Sequence, residues 1–416
     1  MNTRNKRSNL ARQLHDYFVS LILIAILSIL ASSCRPPSPS YQGYGYLIIA
    51  PEALLPAVED FGDYKEAKGF LVDLVSLEEI LTSTPGDDDP EKIRNFLQGY
   101  SALTPEREFV LLVGSMDAVP MRIAYPDPLD HFFLDVPTDF YYEELTGNWD
   151  ADGDGFFGEY GEDMSQETED YGVELYVARV PWDAPGEIQV ILDHIIEYEQ
   201  DTSPRMDRAI GAGATIETPC DTAPWVNLGK LFLMDPAGYE STTLYDNCAS
   251  ANPDYELTRD NFLGQWEMQQ PGLVMWFSHG NSYGSYLGPP DWGTFIDVDN
   301  LPQGVAPALC FTSGCTVAAP DVESLGRVLI SDGICASFMG SSRITEWGDN
   351  TFPSYNAQFK MAIRFIWERR AISEAKRFSL EYYAIAETAP ENISGAFFHK
   401  NLFQFMVFGD PSIQLH

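Results

Sequence analysis

From Tyr46 onward, short apolar runs alternate with amphipathic stretches, and the alternation outlines an architecture. Residues 46–50 (Tyr-Leu-Ile-Ile-Ala) have the unbroken apolar character of a buried strand, and 51–68 read as a helix closed by Gly69. A second strand is expected at 70–75, after which Ser76 and Glu79 make the capping-box pattern that opens a short helix. Residues 90–100 predict another helix, and 109–114 (Phe-Val-Leu-Leu-Val-Gly) a third strand. A strand with no polar face needs cover on both sides, so this repetition predicts an α/β fold with a parallel sheet between helices.

The rhythm stops between residues 120 and 171, where aromatics and carboxylates fill a stretch too long for an idle connection. Its centre is Asp150-Ala151-Asp152-Gly153-Asp154-Gly155. Carboxylates at alternate positions can converge on one hard cation, and glycine permits the turn between them. The twelfth loop position is Gly161, not the bidentate Glu of an EF-hand. A looser calcium site is expected instead, held by Asp150, Asp152 and Asp154 with a last ligand from Glu159, Glu162 or elsewhere. The plain alternative is a solvated acidic turn.

The alternation resumes with a strand at 173–180 and a helix begun by Asp183 and Pro185, whose Ile188, Ile191, Leu192, Ile195 and Ile196 share one face. The polar segment 200–208, containing Pro204, marks a boundary between an N-terminal α/β subdomain (46–204) and a C-terminal one (205–416). In the second, strands are expected at 209–215 and 334–339, and helices near 225–234, 257–266, 357–375 and 378–388. Two further apolar runs end in reactive side chains. Leu273-Val274-Met275-Trp276-Phe277 breaks into Ser278-His279-Gly280, and 306–311 breaks into Thr312-Ser313-Gly314-Cys315. If these strands are neighbours, a histidine and a cysteine stand side by side, as a thiol nucleophile and its imidazole partner do. Taken singly, each also has a structural reading, as a core histidine and a buried thiol.

Composition adds an address. The chain has 62 acidic against 25 basic residues, a net charge of -37, which argues against nucleic acid and anionic membrane surfaces as partners. Its N-terminus carries Arg4, Lys6, Arg7 and Arg12, then an apolar stretch at 19–30 too short for an ordinary spanning helix, then Ala31-Ser32-Ser33-Cys34. This resembles a bacterial lipoprotein signal (residues 1–34) that would lipidate Cys34 and place the protein at the cell envelope, followed by a tether at 35–45. Simple cleavage or a retained anchor is the alternative. Cys310 and Cys335 lie in apolar strand patterns that suit inert buried thiols, and Cys220 and Cys248 either pair or stay free.

In order along the chain, Pro137-Thr138-Asp139-Phe140-Tyr141-Tyr142, the acidic loop, Glu174-Leu175-Tyr176-Val177-Ala178-Arg179, Ser278-His279-Gly280, Ser313-Gly314-Cys315 and Phe408-Gly409-Asp410-Pro411-Ser412 resemble the gingipain-type cysteine peptidases. That resemblance implies a caspase-like fold of parallel-rich sheets flanked by helices, in two packed subdomains. It also implies a catalytic dyad of His279 and Cys315, and an oxyanion site made by the backbone N–H groups of Gly280 and Cys315. Glu217 matches a carboxylate that orients the imidazole, and Trp347 matches a tryptophan that walls the primary pocket. Relatives specific for basic residues carry an acid on the pocket floor; the matching position falls near Ala223, with Asp221 close by, so that preference does not transfer. Relatives also have Ala before the cysteine where this chain has Gly314.

The expected function is that of an exported, lipid-anchored cysteine endopeptidase acting on protein or peptide substrates. The alternative of another class is a caspase-fold surface protein that binds or adheres with restricted or lost catalysis. A peptide ligase would use the same acyl-enzyme.

Overall fold

The structure, a computed structural model, describes residues 38–103, 107–127, 135–163, 172–217, 222–248, 251–288, 292–345, 361, 363–377 and 395–415. Its framework is one eleven-stranded sheet. In chain order the strands are β1 (Gly45–Ala50), β2 (Leu71–Ser76), β3 (Arg107–Val113), β4 (Tyr176–Val180), β5 (Arg208–Gly213), β6 (Glu240–Tyr245), β7 (Tyr255–Glu256), β8 (Leu273–Phe277), β9 (Ala308–Thr312), β10 (Cys335–Ser341) and β11 (Phe405–Gly409). Across the sheet they lie in the order β2-β1-β3-β4-β11-β10-β9-β8-β5-β6-β7. Every pairing is parallel except that of β10 with β11.

The apolar runs became the central strands because they could be covered on both faces: every residue of β1, β8 and β9 is buried. The helix Pro185–Gln200 buries Ile188, Ile191, Leu192 and Ile195 as its periodicity requires. The helix expected at 51–68 is instead two pieces, a 3-10 turn at Glu52–Ala57 and a helix at Glu59–Ala67. Pro56 sits inside the turn, where its missing N–H would break an α-helical ladder. Ser76 caps the next helix as expected, its Oγ accepting from the Glu79 N–H at 3.1 Å. β6 was not anticipated, because Glu240-Ser241-Thr242-Thr243 lacks the apolar signature; near the sheet edge a strand can carry such residues. Among the described residues no helix is long and apolar enough to cross a membrane.

The two halves share the sheet. β11, far along the chain, inserts between β4 and β10. Charges buried at this seam are matched. Arg179, fully buried on β4, donates from Nε and Nη2 to the two carboxylate oxygens of Asp139 at 2.9 and 2.7 Å. Lys65 is ion-paired with Asp410, lies 2.9 Å from Glu199, and is ringed by Tyr46, Phe61, Tyr64 and Phe70. The Tyr46 hydroxyl donates to Asp410 at 2.7 Å. Burial raises the Asp410 carboxyl, but the Lys65 ammonium outweighs it and holds the pKa below the ordinary value. Lys376 pairs with Glu143, where burial outweighs the lysine and pushes the carboxyl up to about 7.

Candidate active site

β8 and β9 pair with Leu273 opposite Leu309 and Trp276 opposite Thr312. Continued past the last pair, this register leads to His279 on one strand and Cys315 on the other. Gly280 is where the strand ends touch. A Cβ there would lie 2.9 Å from Val317 Cγ1 and 3.1 Å from both the N and the O of Cys315, so the approach requires glycine.

His279 opens a small antiparallel sheet in which His279–Gly280 pairs with Gly284–Tyr286, and that strand with Thr294–Asp297. Trp276 ties it to the main sheet by donating from Nε1 to Ser285 Oγ at 2.8 Å. The imidazole is half-buried, with Nε2 2.9 Å from the carbonyl oxygen of Ile216. A carbonyl only accepts, so Nε2 carries the proton, and in the neutral ring Nδ1 is the basic nitrogen. The Trp292 ring lies 5.1 Å from the imidazole, centroid to centroid, at 45°.

Cys315 is half-buried, and its thiol faces the Thr345 carbonyl at 3.8 Å. The next residue, Thr316, has φ of +53°, which a β-branched side chain rarely adopts. Two bonds to the end of β10 hold the turn: Thr316 N donates to Arg343 O at 3.0 Å, and Ala318 N to Ser341 O at 3.0 Å. Arg343 in turn grips Asp321 with two parallel bonds of 3.0 Å and donates to Asp135 O at 3.0 Å. Burial raises the Asp321 carboxyl, yet the Arg343 guanidinium outweighs it and holds the pKa below its ordinary value. This clamp fixes the segment that presents the Thr345 carbonyl.

Glu217 is exposed and directly follows Ile216, while the bond to His279 Nε2 comes from the Ile216 carbonyl. Asp221, Trp347, Cys220 and the leader through Cys34 lie outside the described residues. Cys248 is disulfide-bonded, and its partner also lies outside them. Cys310 and Cys335 are buried free thiols, as their strand patterns implied. Sequence reasoning missed the Ile216 and Thr345 carbonyls, which have no residue-type signal, and Trp292, which sits in no motif.

The acidic loop folds on itself. Asp150, Asp152 and Asp154 bring carboxylate oxygens within 4.8 Å of one another, and so do Asp152, Glu159 and Asp163. Gly153 and Gly155 adopt φ of +79° and +87°, the turns that let alternate carboxylates converge. Asp163, not singled out in the sequence, accepts from Ala151 N at 2.7 Å and Glu159 N at 3.1 Å. Burial raises its pKa, and the charges of Asp150 and Asp152 raise it further. A hard cation would relieve that repulsion, so these oxygen donors fit calcium.

A half-exposed thiol and an imidazole delivered by adjacent parallel strands are the equipment of an enzyme that attacks with sulfur. The chain belongs to Peptidase family C25, whose family model matches residues 40–416. Among solved structures it is similar to the Arg-specific cysteine proteinase gingipain R (RgpB), with a TM-score of 0.68 and 17% identity over 92% of this chain and 80% of that one. It is also similar to the complex of Porphyromonas gingivalis RgpB pro- and mature domains, with a TM-score of 0.67 and 18% identity over 90% and 80%. At such identities the likeness concerns the fold, which is the caspase-like fold of gingipain. No curated protein matches the chain in sequence. Family and fold together make the protein a cysteine peptidase.

Proposed function

We propose that the protein is an exported, lipid-anchored cysteine endopeptidase with a Cys315–His279 dyad. The observation that carries this reading is the close packing of Gly280, the residue after His279, on the Cys315 backbone at the ends of the paired strands β8 and β9. His279 Nδ1 takes the thiol proton while Nε2–H stays on Ile216 O. The thiolate attacks the peptide carbonyl carbon, forming a C–S bond and placing negative charge on oxygen. Backbone N–H groups of Gly280 and Cys315 receive that charge. Collapse breaks the C–N bond, His279 returns its proton to the departing amine, and water then hydrolyses the acyl-enzyme. Calcium held by Asp150, Asp152, Asp154, Glu159 and Asp163 would brace the long acidic loop, a role supported by their converging oxygens. Export and lipidation rest on the leader ending at Cys34.

Incubation of the purified protein and its Cys315→Ala variant with an internally quenched peptide library tests the assignment. Internal cleavage by the parent and none by the variant is expected. Cleavage that survives the substitution would remove Cys315 from the mechanism.

A further inference from the structure

We propose that Asp246 is a positioning residue for His279, an inference that rests on the reading of His279 as the proton acceptor for Cys315. Asp246 follows β6 directly, is only 4% exposed, and touches neither member of the dyad in any bond described. Its Oδ1 accepts from the Thr215 N–H at 2.6 Å and from Thr215 Oγ1 at 2.8 Å. Its Oδ2 accepts from the Gly288 N–H at 2.8 Å. One carboxylate thus joins two segments that each lead to a contact of the imidazole.

The first segment is the end of β5. Thr215 precedes Ile216, whose carbonyl accepts the His279 Nε2 proton, so anchoring the Thr215 amide and hydroxyl holds the chain segment from which that carbonyl projects. The second is the chain at Gly288, whose carbonyl oxygen accepts from Trp292 N at 3.3 Å. Trp292 packs its ring 5.1 Å from the imidazole. The segments are pressed together, since a Cβ on Gly288 would fall 2.3 Å from Thr215 O. Such contact leaves three N–H or O–H donors converging on a small buried space, and a carboxylate is an acceptor-only group with enough lone pairs for all three. Neutral alternatives of similar size bring a donor of their own.

Asp246→Asn is therefore the informative change. Its amide nitrogen must face either the Thr215 or the Gly288 N–H, donor against donor, and release one of the two segments. We expect kcat/KM for a peptide substrate to fall by about 10- to 100-fold, mostly in kcat, because small misplacements of a catalytic group cost that much. In ¹⁵N spectra of histidine-labelled protein, the His279 signals should move from the Nε2–H tautomer toward a mixture. Thr215→Val removes only the Oγ1 bond and should give the same changes at a smaller size. If Asp246→Asn lowers the melting temperature while the His279 nitrogen signals and kcat stay as in the parent, Asp246 is a structural residue and the proposal is wrong. The nitrogen signals do not require turnover. A parent that cleaves no peptide, together with signals that move in Asp246→Asn, would sink the peptidase reading and leave the positioning role standing.

Discussion

At the seam where β11 joins the two halves, Lys65, Asp410, Arg179 and Asp139 are buried and matched charge for charge. At the ends of β8 and β9, the imidazole instead donates to the Ile216 carbonyl and the thiol faces the Thr345 carbonyl. Asp139, Arg179 and Asp410 at the seam, like His279 and Cys315 at the strand ends, lie in stretches that carry the family resemblance, yet the two regions hold their groups in opposite ways. An ion pair favours the charged form of each partner, as Lys65 does in holding the Asp410 carboxyl below its ordinary pKa, which suits a structural joint. A base or nucleophile must change protonation during the reaction, and a neutral carbonyl can hold its geometry without fixing its charge. Motif membership alone therefore does not separate chemistry from architecture; the partner does.

The strongest way to break this contrast is at the thiol. Cys315→Ala should lower peptide hydrolysis by about 10⁴-fold or more while leaving the denaturation midpoint near that of the parent. At the seam the order reverses. Lys65→Met leaves the Asp410 carboxylate buried without its ammonium and should cost about 3–5 kcal/mol in urea denaturation, with the Cys315 alkylation rate of the folded protein unchanged. A large change in that rate would mean the two regions are not independent. Gly280→Ala pushes a methyl group against the Cys315 backbone and should lower kcat/KM by about 10²-fold, the scale of losing one oxyanion donor, with KM less affected.

Glu143 sharpens the comparison from the side of pH. Its carboxyl is pushed from an ordinary 4.5 up to about 7, first by burial, so between those values the folded protein holds a proton that the unfolded chain has released. The folded state then binds more protons, and stability falls as pH rises through that window. Glu143→Gln should flatten this slope, seen as the parent losing stability relative to the variant between pH 5 and pH 7.5. The smallest expected effect is at the acidic loop. Chelation of calcium should lower the melting temperature by a few degrees, about the shift expected when 1 kcal/mol of ligand stabilisation is lost, and Asp163→Asn should abolish the dependence.

The sequence showed most where apolar periodicity is strong. β1, β3, β8, β9 and β10 were all visible as runs, and His279 and Cys315 were visible because they follow two of those runs. It showed little where structure depends on partners far along the chain. β6 is too polar to announce itself, and the insertion of β11 between β4 and β10 is a matter of topology that no local pattern encodes. The same reason hid part of the site. Ile216 reads as one more apolar residue, and its contribution is a carbonyl; Asp246 reads as one more acid in a chain with 62 of them. Glu217 stood out by residue type, whereas the acceptor at His279 Nε2 is the backbone carbonyl of the residue before it.

The most direct test of the central claim is the site-resolved alkylation rate of the native protein by iodoacetamide at neutral pH, read by mass spectrometry. Burial, aided by the hydrogen bond its S–H donates to Cys335, holds the Cys310 thiol well above its ordinary pKa, so it provides an internal reference for an inert cysteine. Cys315 should label at least about 100-fold faster than Cys310, and His279→Ala should remove most of that advantage. Equal rates at the two cysteines, or a fast Cys315 indifferent to His279→Ala, would contradict the dyad.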